Sequence, residues 1–323
     1  LGPGRARLRG HPGGVWSFPR ICSKIKSSGG LLRRKGEVVM AGKKELRPWL
    51  LGGMLLGALV LPGLYNGLTV RRYRLPTGRF ACPIRIALVS DLHACKHGEE
   101  ERQLIETIHR EKPELLLMAG DIFDHRQDIR NVECFLRGVA GRYPCYYVTG
   151  NHEYWHKGKA LPGDMALLAR YGVRRLSGEM VTVTVKGHAL NLCGVDDPDA
   201  SAVHPACNGG NSRSFLQQLA HVGTQPRNGN YTILLSHRPE PFRFYACYGF
   251  DLALCGHAHG GQWRIPGLLN GLYAPHQGLF PKYAGGRYLK GGTTMIVSRG
   301  LARENTRVPR FYDPPELVIV DLA

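Results

Sequence analysis

Five apolar runs in this chain each end on groups that bind cations or protons, and this pattern restricts the fold more than any other feature. Residues 84–90 end at Asp91, Leu92 and His93, residues 115–119 at Gly120 and Asp121, and residues 145–149 at Gly150, Asn151 and His152. Further along, residues 231–236 end at His237, and residues 250–255 at Gly256, His257, Ala258 and His259. Short runs of this kind read as buried strands. Polar groups gathered after such strands fit an α/β sheet whose site lies at the strands' C-terminal edge. Alternating oxygen and imidazole donors, with one Asp available for sharing, are what two neighbouring divalent cations require. Turn formation after strands would account for the glycines but not for the histidines.

The remaining periodicity fills in an α/β domain over residues 80–323. Residues 98–112 carry Leu104, Ile105 and Ile108 at helical spacing, and residues 132–139 repeat the pattern with Val132, Phe135, Leu136 and Val139. Residues 180–186 and 189–195 predict a hairpin across Gly187 and His188. Residues 294–298 and 316–322 predict closing strands. Two packed sheets flanked by helices follow from this order. Residues 196–211 read as a surface loop, and the Gly- and Pro-rich residues 260–292 as a loop walling a pocket.

The chain has 323 residues and a formal charge of +18, enough to raise the question of nucleic acid. The charge is unevenly spread. Residues 1–79 hold 16 Lys/Arg and 2 Asp/Glu, a net +14, which leaves only +4 for the rest. A nearly neutral region over residues 80–323 argues against a nucleic-acid groove, while a basic leader beside an apolar segment suits an anionic membrane surface. That segment, residues 48–70, has no charge and basic residues on both flanks, and is expected to be a membrane-spanning anchor. Residues 1–47 form a basic leader. Within them, residues 1–39 are either a translated upstream stretch ahead of a true start at Met40 or a disordered tail. The nine cysteines show no metal-ribbon spacing, and Cys145, Cys193 and Cys255 sit in apolar runs as small hydrophobes.

The five motifs, in their order and context, resemble the calcineurin-like metallophosphoesterase superfamily. That resemblance implies a four-layer α/β/β/α sandwich, two divalent ions (Mn, Fe, Zn or Mg) and hydrolysis of phosphoric ester or anhydride bonds. It makes Asp121 the bridging ligand. Asp91, His93 and His259 complete one site; Asn151, His237 and His257 complete the other. His152 is the expected acid catalyst facing the leaving group. Asp124, three residues after the bridge, reads either as a carboxylate orienting a ligand imidazole or as a solvated acid at a helix start. Arg238, Arg299 and Arg310 are candidates for a second phosphate, though a fold-supporting role suits each better. His97, His109, His156, His188, His204 and His221 are expected at the surface, with His125 and His276 near the pocket.

Residues 256–262, 283–288 and 298–301 are similar to a membrane-anchored bacterial branch with YkuE- and YaeI-type members, related to UDP-2,3-diacylglucosamine pyrophosphatases of lipid A synthesis. The branch implies a phosphoester substrate, for which a lipid-linked one is a candidate, and a domain on the outer face of the cytoplasmic membrane. Two alternatives stay open: a nucleotide or nucleic-acid phosphodiesterase using the same metals, and a tethered binding protein without activity.

Overall fold

The computed structural model describes residues 46–124, 126–202, 213–303 and 309–323. Most of the basic leader, Met40, His125 and His204 lie outside these residues, as does the side chain of His156.

The apolar run does not form one spanning helix. Helix α1 covers Leu46–Val60, and Leu61–Leu64 then makes a 3-10 turn. Pro62 brings no N–H to continue the helix, and Gly63 lies where the rings of Phe311 and Tyr312 occupy the space of a Cβ. At ~1.5 Å per residue the described part of α1 is ~22 Å long, against the ~30 Å hydrocarbon core of a bilayer. Among the described residues no helix is long and apolar enough to cross a membrane. The end of the run, Thr69 and Val70, opens strand β1 (Thr69–Leu75). Residues 48–70, expected as one spanning segment, are thus a short helix, a turn and the start of a strand.

Leu51–Ala323 forms one compact unit. Its chain continues through β2 (Ile84–Val89), α2 (Arg102–Glu111), β3 (Leu115–Ala119), α3 (Ile129–Val139), β4 (Cys145–Val148), α4 (Leu161–Arg170) and β5 (Arg174–Arg175). Then come β6 (Glu179–Val185), β7 (His188–Gly194), α5 (Phe215–Gly223), β8 (Tyr231–Leu235), α6 (Phe242–Cys247) and β9 (Leu252–Cys255). The last elements are β10 (Tyr273–Ala274), β11 (Gly278–Leu279), β12 (Gly286–Lys290), β13 (Thr293–Val297) and β14 (Glu316–Leu322).

These strands build two six-stranded sheets, ordered β1-β14-β2-β3-β4-β5 and β12-β13-β9-β8-β7-β6. β2 to β5 run parallel, as do β7, β8, β9 and β13, so their C-terminal ends gather on one edge of each sheet. Between the sheets lies a core of Ile84, Leu88, Leu117, Leu190, Ile233, Leu254 and their neighbours. Each such fully buried aliphatic side chain contributes ~1.5–3 kcal/mol. Leu104, Ile108, Val132 and Phe135 seat α2 and α3 on the outer face of the first sheet. Phe215, Leu219, Phe242 and Tyr245 seat α5 and α6 on the second. Helices, sheet, sheet, helices is thus the observed layering.

Two local readings shift. The hairpin forms, but its turn is Lys186-Gly187, both with positive φ as a two-residue type I′ turn needs, so Val185 pairs with His188. Residues 260–292 are not all loop: β10 and β11 pair with each other, and β12 pairs along β13.

Glu101, buried at the start of α2, accepts from the His97 amide at 3.1 and 3.2 Å. Burial raises its carboxyl from 4.5 to about 7. The fold therefore favours the neutral acid. It loses stability as pH rises from about 4.5, where the unfolded chain ionises, to about 7, where the buried group follows. Glu101→Gln keeps an acceptor and removes that loss. Its melting temperature relative to the native chain is expected to be higher at about pH 8 than at about pH 4. An equal difference at both values would show that this carboxyl does not govern the dependence.

Candidate metal centre

Every ligand candidate follows a parallel strand. Asp91 and His93 follow β2, Asp121 follows β3, Asn151 follows β4, His237 follows β8, and His257 and His259 follow β9. The two sheet edges face each other across the site. Asp91, His93, Asp121, His257 and His259 all have positive φ, between 45° and 67°. Non-glycine residues in this region carry a cost, and it gathers where function holds the chain. Gly120 is required for another reason: a Cβ there would meet the Gly150 amide nitrogen at 2.6 Å and His237 Nδ1 at 2.7 Å. The β3 and β4 loops can close on each other only because the position is bare.

Asp121 Oδ2 lies at the centre. It is 3.2 Å from His237 Nε2, 3.6 Å from His93 Nε2 and 4.0 Å from His152 Nε2. His259 Nε2 lies 3.6 Å from Asp91 Oδ1. His237 Nε2 lies 3.2 Å from Asn151 Oδ1 and 3.1 Å from His257 Nδ1. Two sets emerge: Asp91, His93, Asp121 and His259, and, around the same Asp121, His237 and His257 with Asn151 beside them. Donor atoms bonded to one ion at ~2.0–2.2 Å stand ~3–3.5 Å apart, close to these spacings. The hydrogen-bond inventory agrees. Both ring nitrogens of His93, Asp121 Oδ2 and His259 Nδ1 are buried without a hydrogen-bond partner. Buried polar atoms are normally paired, so these residues fit a pair of divalent ions.

The surrounding electrostatics belongs to the same arrangement. His237 Nδ1 donates to the Ala119 carbonyl at 2.7 Å, which leaves Nε2 as the ligand nitrogen. Burial works against its cation, but the Asp121 carboxylate pushes it up to about 10. Burial and the charge of His237 hold His257 well below the ordinary range; burial and His93 do the same for His259.

His152 sits differently. Its Nδ1 lies 3.1 Å from Asp124 Oδ2, its ring stacks on Trp155 with centroids 3.5 Å apart, and it meets His93 edge-on. Asp124 also lies 3.5 Å from His93 Nδ1 and accepts from Arg126 at 2.7 Å. Burial disfavours its charge, yet these bonds hold its carboxyl well below the usual range. It therefore stands behind two imidazoles at once.

Glu153 is a functional residue that motif reading missed. It is buried and accepts from the amides of Asp121, Ile122, Phe123 and Gly150 at 3.1, 2.9, 3.2 and 2.7 Å, tying the bridging loop to the Asn151 loop. In sequence it is one more acid after His152, and only its position three residues beyond Gly150 could have marked it. Glu153→Ala leaves four amides to be satisfied by water, at a cost of at least ~3 kcal/mol. The expected fall in melting temperature is ~6–12 °C, with metal affinity ~10–100-fold weaker. Calorimetry and metal titration check this; a variant with native affinity would reduce Glu153 to a packing role.

The other candidates separate. Arg238 is committed to Asp197 through two bonds of 2.6 and 2.8 Å, and Arg299 to Glu316 at 2.9 Å. Arg310 donates to the Arg299 carbonyl at 2.8 Å, a fold-supporting bond. His276 lies 3.0 Å from His257 Nε2 and 2.7 Å from Arg238, at the edge of the site as expected. His97 is a correction: it is buried, with Nε2 2.9 Å from the Leu301 carbonyl, because the β2 loop folds under residues 298–301.

The profile of the calcineurin-like phosphoesterase family matches residues 84–261, more than half of the chain. The uncharacterized metallophosphoesterase YkuE of Bacillus subtilis is 27% identical over 246 residues, covering 74% of this chain and 78% of that protein. An uncharacterized metallophosphoesterase of Campylobacter jejuni is 26% identical over 243 residues, 74% of this chain but only 59% of its own length. Among solved structures, a dimetal phosphatase from Danio rerio superposes with a TM-score of 0.43 at 13% identity, covering 67% of this chain and 87% of that one.

Proposed function

Since the chain belongs to the calcineurin-like phosphoesterase family and is a metal-dependent phosphoester hydrolase, we propose that it cleaves a phosphodiester or pyrophosphate bond in a membrane- or envelope-associated substrate. The observation that carries the hydrolytic part is the buried, unpartnered Asp121 Oδ2, set between His93 on one side and His237 on the other. When bound, two divalent ions polarise phosphoryl oxygens and acidify water.

The chain's own residues do the rest. Asp121 supplies the negative charge that lets two cations share the site. Asp124 holds His152 through Nδ1, which turns Nε2 toward Asp121 and leaves it positioned to give a proton to a departing oxygen. Trp155 restricts the same ring from its face. The membrane part of the reading is supported by α1, whose Leu51, Met54, Leu55, Leu56 and Leu59 are all more than half exposed. It includes a place on the outer face of the bacterial cytoplasmic membrane, tested by protease accessibility in spheroplasts. A screen of metal-supplemented hydrolysis over lipid, nucleotide and envelope phosphoesters tests the substrate class. Turnover of nucleotide diesters alone would favour the phosphodiesterase alternative.

A further inference from the structure

The apolar exposure is not confined to α1. Between the last ligand and β12 the chain exposes Trp263 (43%), Ile265 (49%), Leu268 (82%), Leu279 (66%) and Phe280 (68%). A run of backbone bonds joins this loop to the turn after α1. The Tyr312 amide donates to the Gly63 carbonyl at 2.7 Å, Phe311 to Gln262 at 2.9 Å, and Arg264 to Phe311 at 2.9 Å. Leu272 then donates to Gly261 at 3.0 Å, and Phe280 to Leu272 at 2.8 Å. The Trp263 indole packs against Phe311 with centroids 5.5 Å apart. Both apolar segments are thereby tied into one region.

That region adjoins the site. It begins four residues after His259, and its β10–β11 hairpin carries His276, 3.0 Å from His257 Nε2. Its charge is one-sided: residues 252–303 contain six Lys/Arg and no Asp/Glu, with Lys282, Arg287 and Lys290 exposed. Large apolar side chains on a basic background match a bilayer interface carrying anionic lipid. A second protein surface would equally cover leucines, but it gives no reason for 52 residues without an acid.

We propose that the loop of residues 263–280, with Leu268 and Phe280 leading, is a docking surface that inserts into an anionic lipid bilayer and sets the metal centre at the headgroup layer. It rests on the hydrolase reading above only for what is then delivered to the site: the phosphoester of an amphiphile held in that layer.

The test uses the full chain and its double variant Leu268→Asp/Phe280→Asp. Both side chains are exposed, and Phe280 has φ of 53°, which Asp adopts more readily than Phe, so the fold is expected to persist. Cosedimentation is measured with phosphatidylglycerol-containing vesicles and with pure phosphatidylcholine vesicles. The native chain is expected to prefer the anionic vesicles, and the variant to partition at least about tenfold less. Hydrolysis of soluble bis-p-nitrophenyl phosphate is expected to be unchanged. Equal partition of native chain and variant, or no preference for anionic vesicles, overturns the proposal. So does light scattering that shows a lipid-free dimer which the variant breaks, because the face would then be a protein interface. Absence of diester hydrolysis in both proteins would count against the hydrolase reading and leave the docking result standing.

Discussion

Asp121→Asn is expected to hold at most one ion per chain where the native protein holds two, and to hydrolyse bis-p-nitrophenyl phosphate at least ~10³-fold more slowly. Two dications ~4 Å apart repel by roughly 16 kcal/mol at an effective dielectric near 20, four times the value for unit charges. Asp121 Oδ2 faces donors of both sets, so its charge offsets that repulsion for both ions at once. Asn preserves shape and loses the charge. If only about a quarter of the repulsion, ~4 kcal/mol, appears in the reaction barrier, the rate falls ~10³-fold. His259→Asn, which weakens one set alone, is expected to be milder. Metal analysis alongside the diester assay decides: an Asn variant with two ions and near-native turnover would remove Asp121 from the bridging role.

His152→Ala separates proton delivery from metal binding. The contact of this residue with Asp121 Oδ1 runs through its backbone amide at 2.8 Å, which the substitution leaves in place, so both ions are expected to remain. The imidazole, held by Asp124 and Trp155, is lost. Hydrolysis of an alkyl diester, whose leaving oxygen needs a proton, is expected to slow by ~10²–10⁴-fold, and that of a nitrophenyl ester much less. Equal slowing of both would make His152 a stabiliser of phosphoryl charge, and loss of metal would make it a ligand.

The strands that end on ligands were legible because each carries two signals a few residues apart, an apolar run and a polar group that a plain turn does not need. β1 was not. Thr69–Leu75 contains three arginines and follows an apolar stretch, so locally it resembles a basic flank. It becomes a strand by pairing with Glu316–Leu322, more than two hundred residues away, and no local pattern encodes such a partner. His97 and Glu153 were missed for a related reason: their surroundings are polar in sequence, and only the closing of loops from both sheets buries them. The His152 clamp was half legible. Asp124 follows Asp121 at short range, while Trp155 reads as an ordinary aromatic until its ring is seen on the histidine.

The facing edges of the two sheets have a mechanical meaning. Asp121 and His93 belong to one sheet, so their 3.6 Å spacing travels with that sheet as a unit. The pairs His237–Asp121 and His259–Asp91 straddle the gap, and their 3.2 and 3.6 Å spacings record how far one sheet has slid over the other. The side chains packed between the sheets, and so setting this offset, include Leu88, Leu117, Ile233 and Leu254. Such cores are close-packed, so one methylene there displaces its neighbours instead of being absorbed. The metal centre therefore spans the domain like a caliper, and an aliphatic change deep between the sheets is expected to register in the two spacings across the gap.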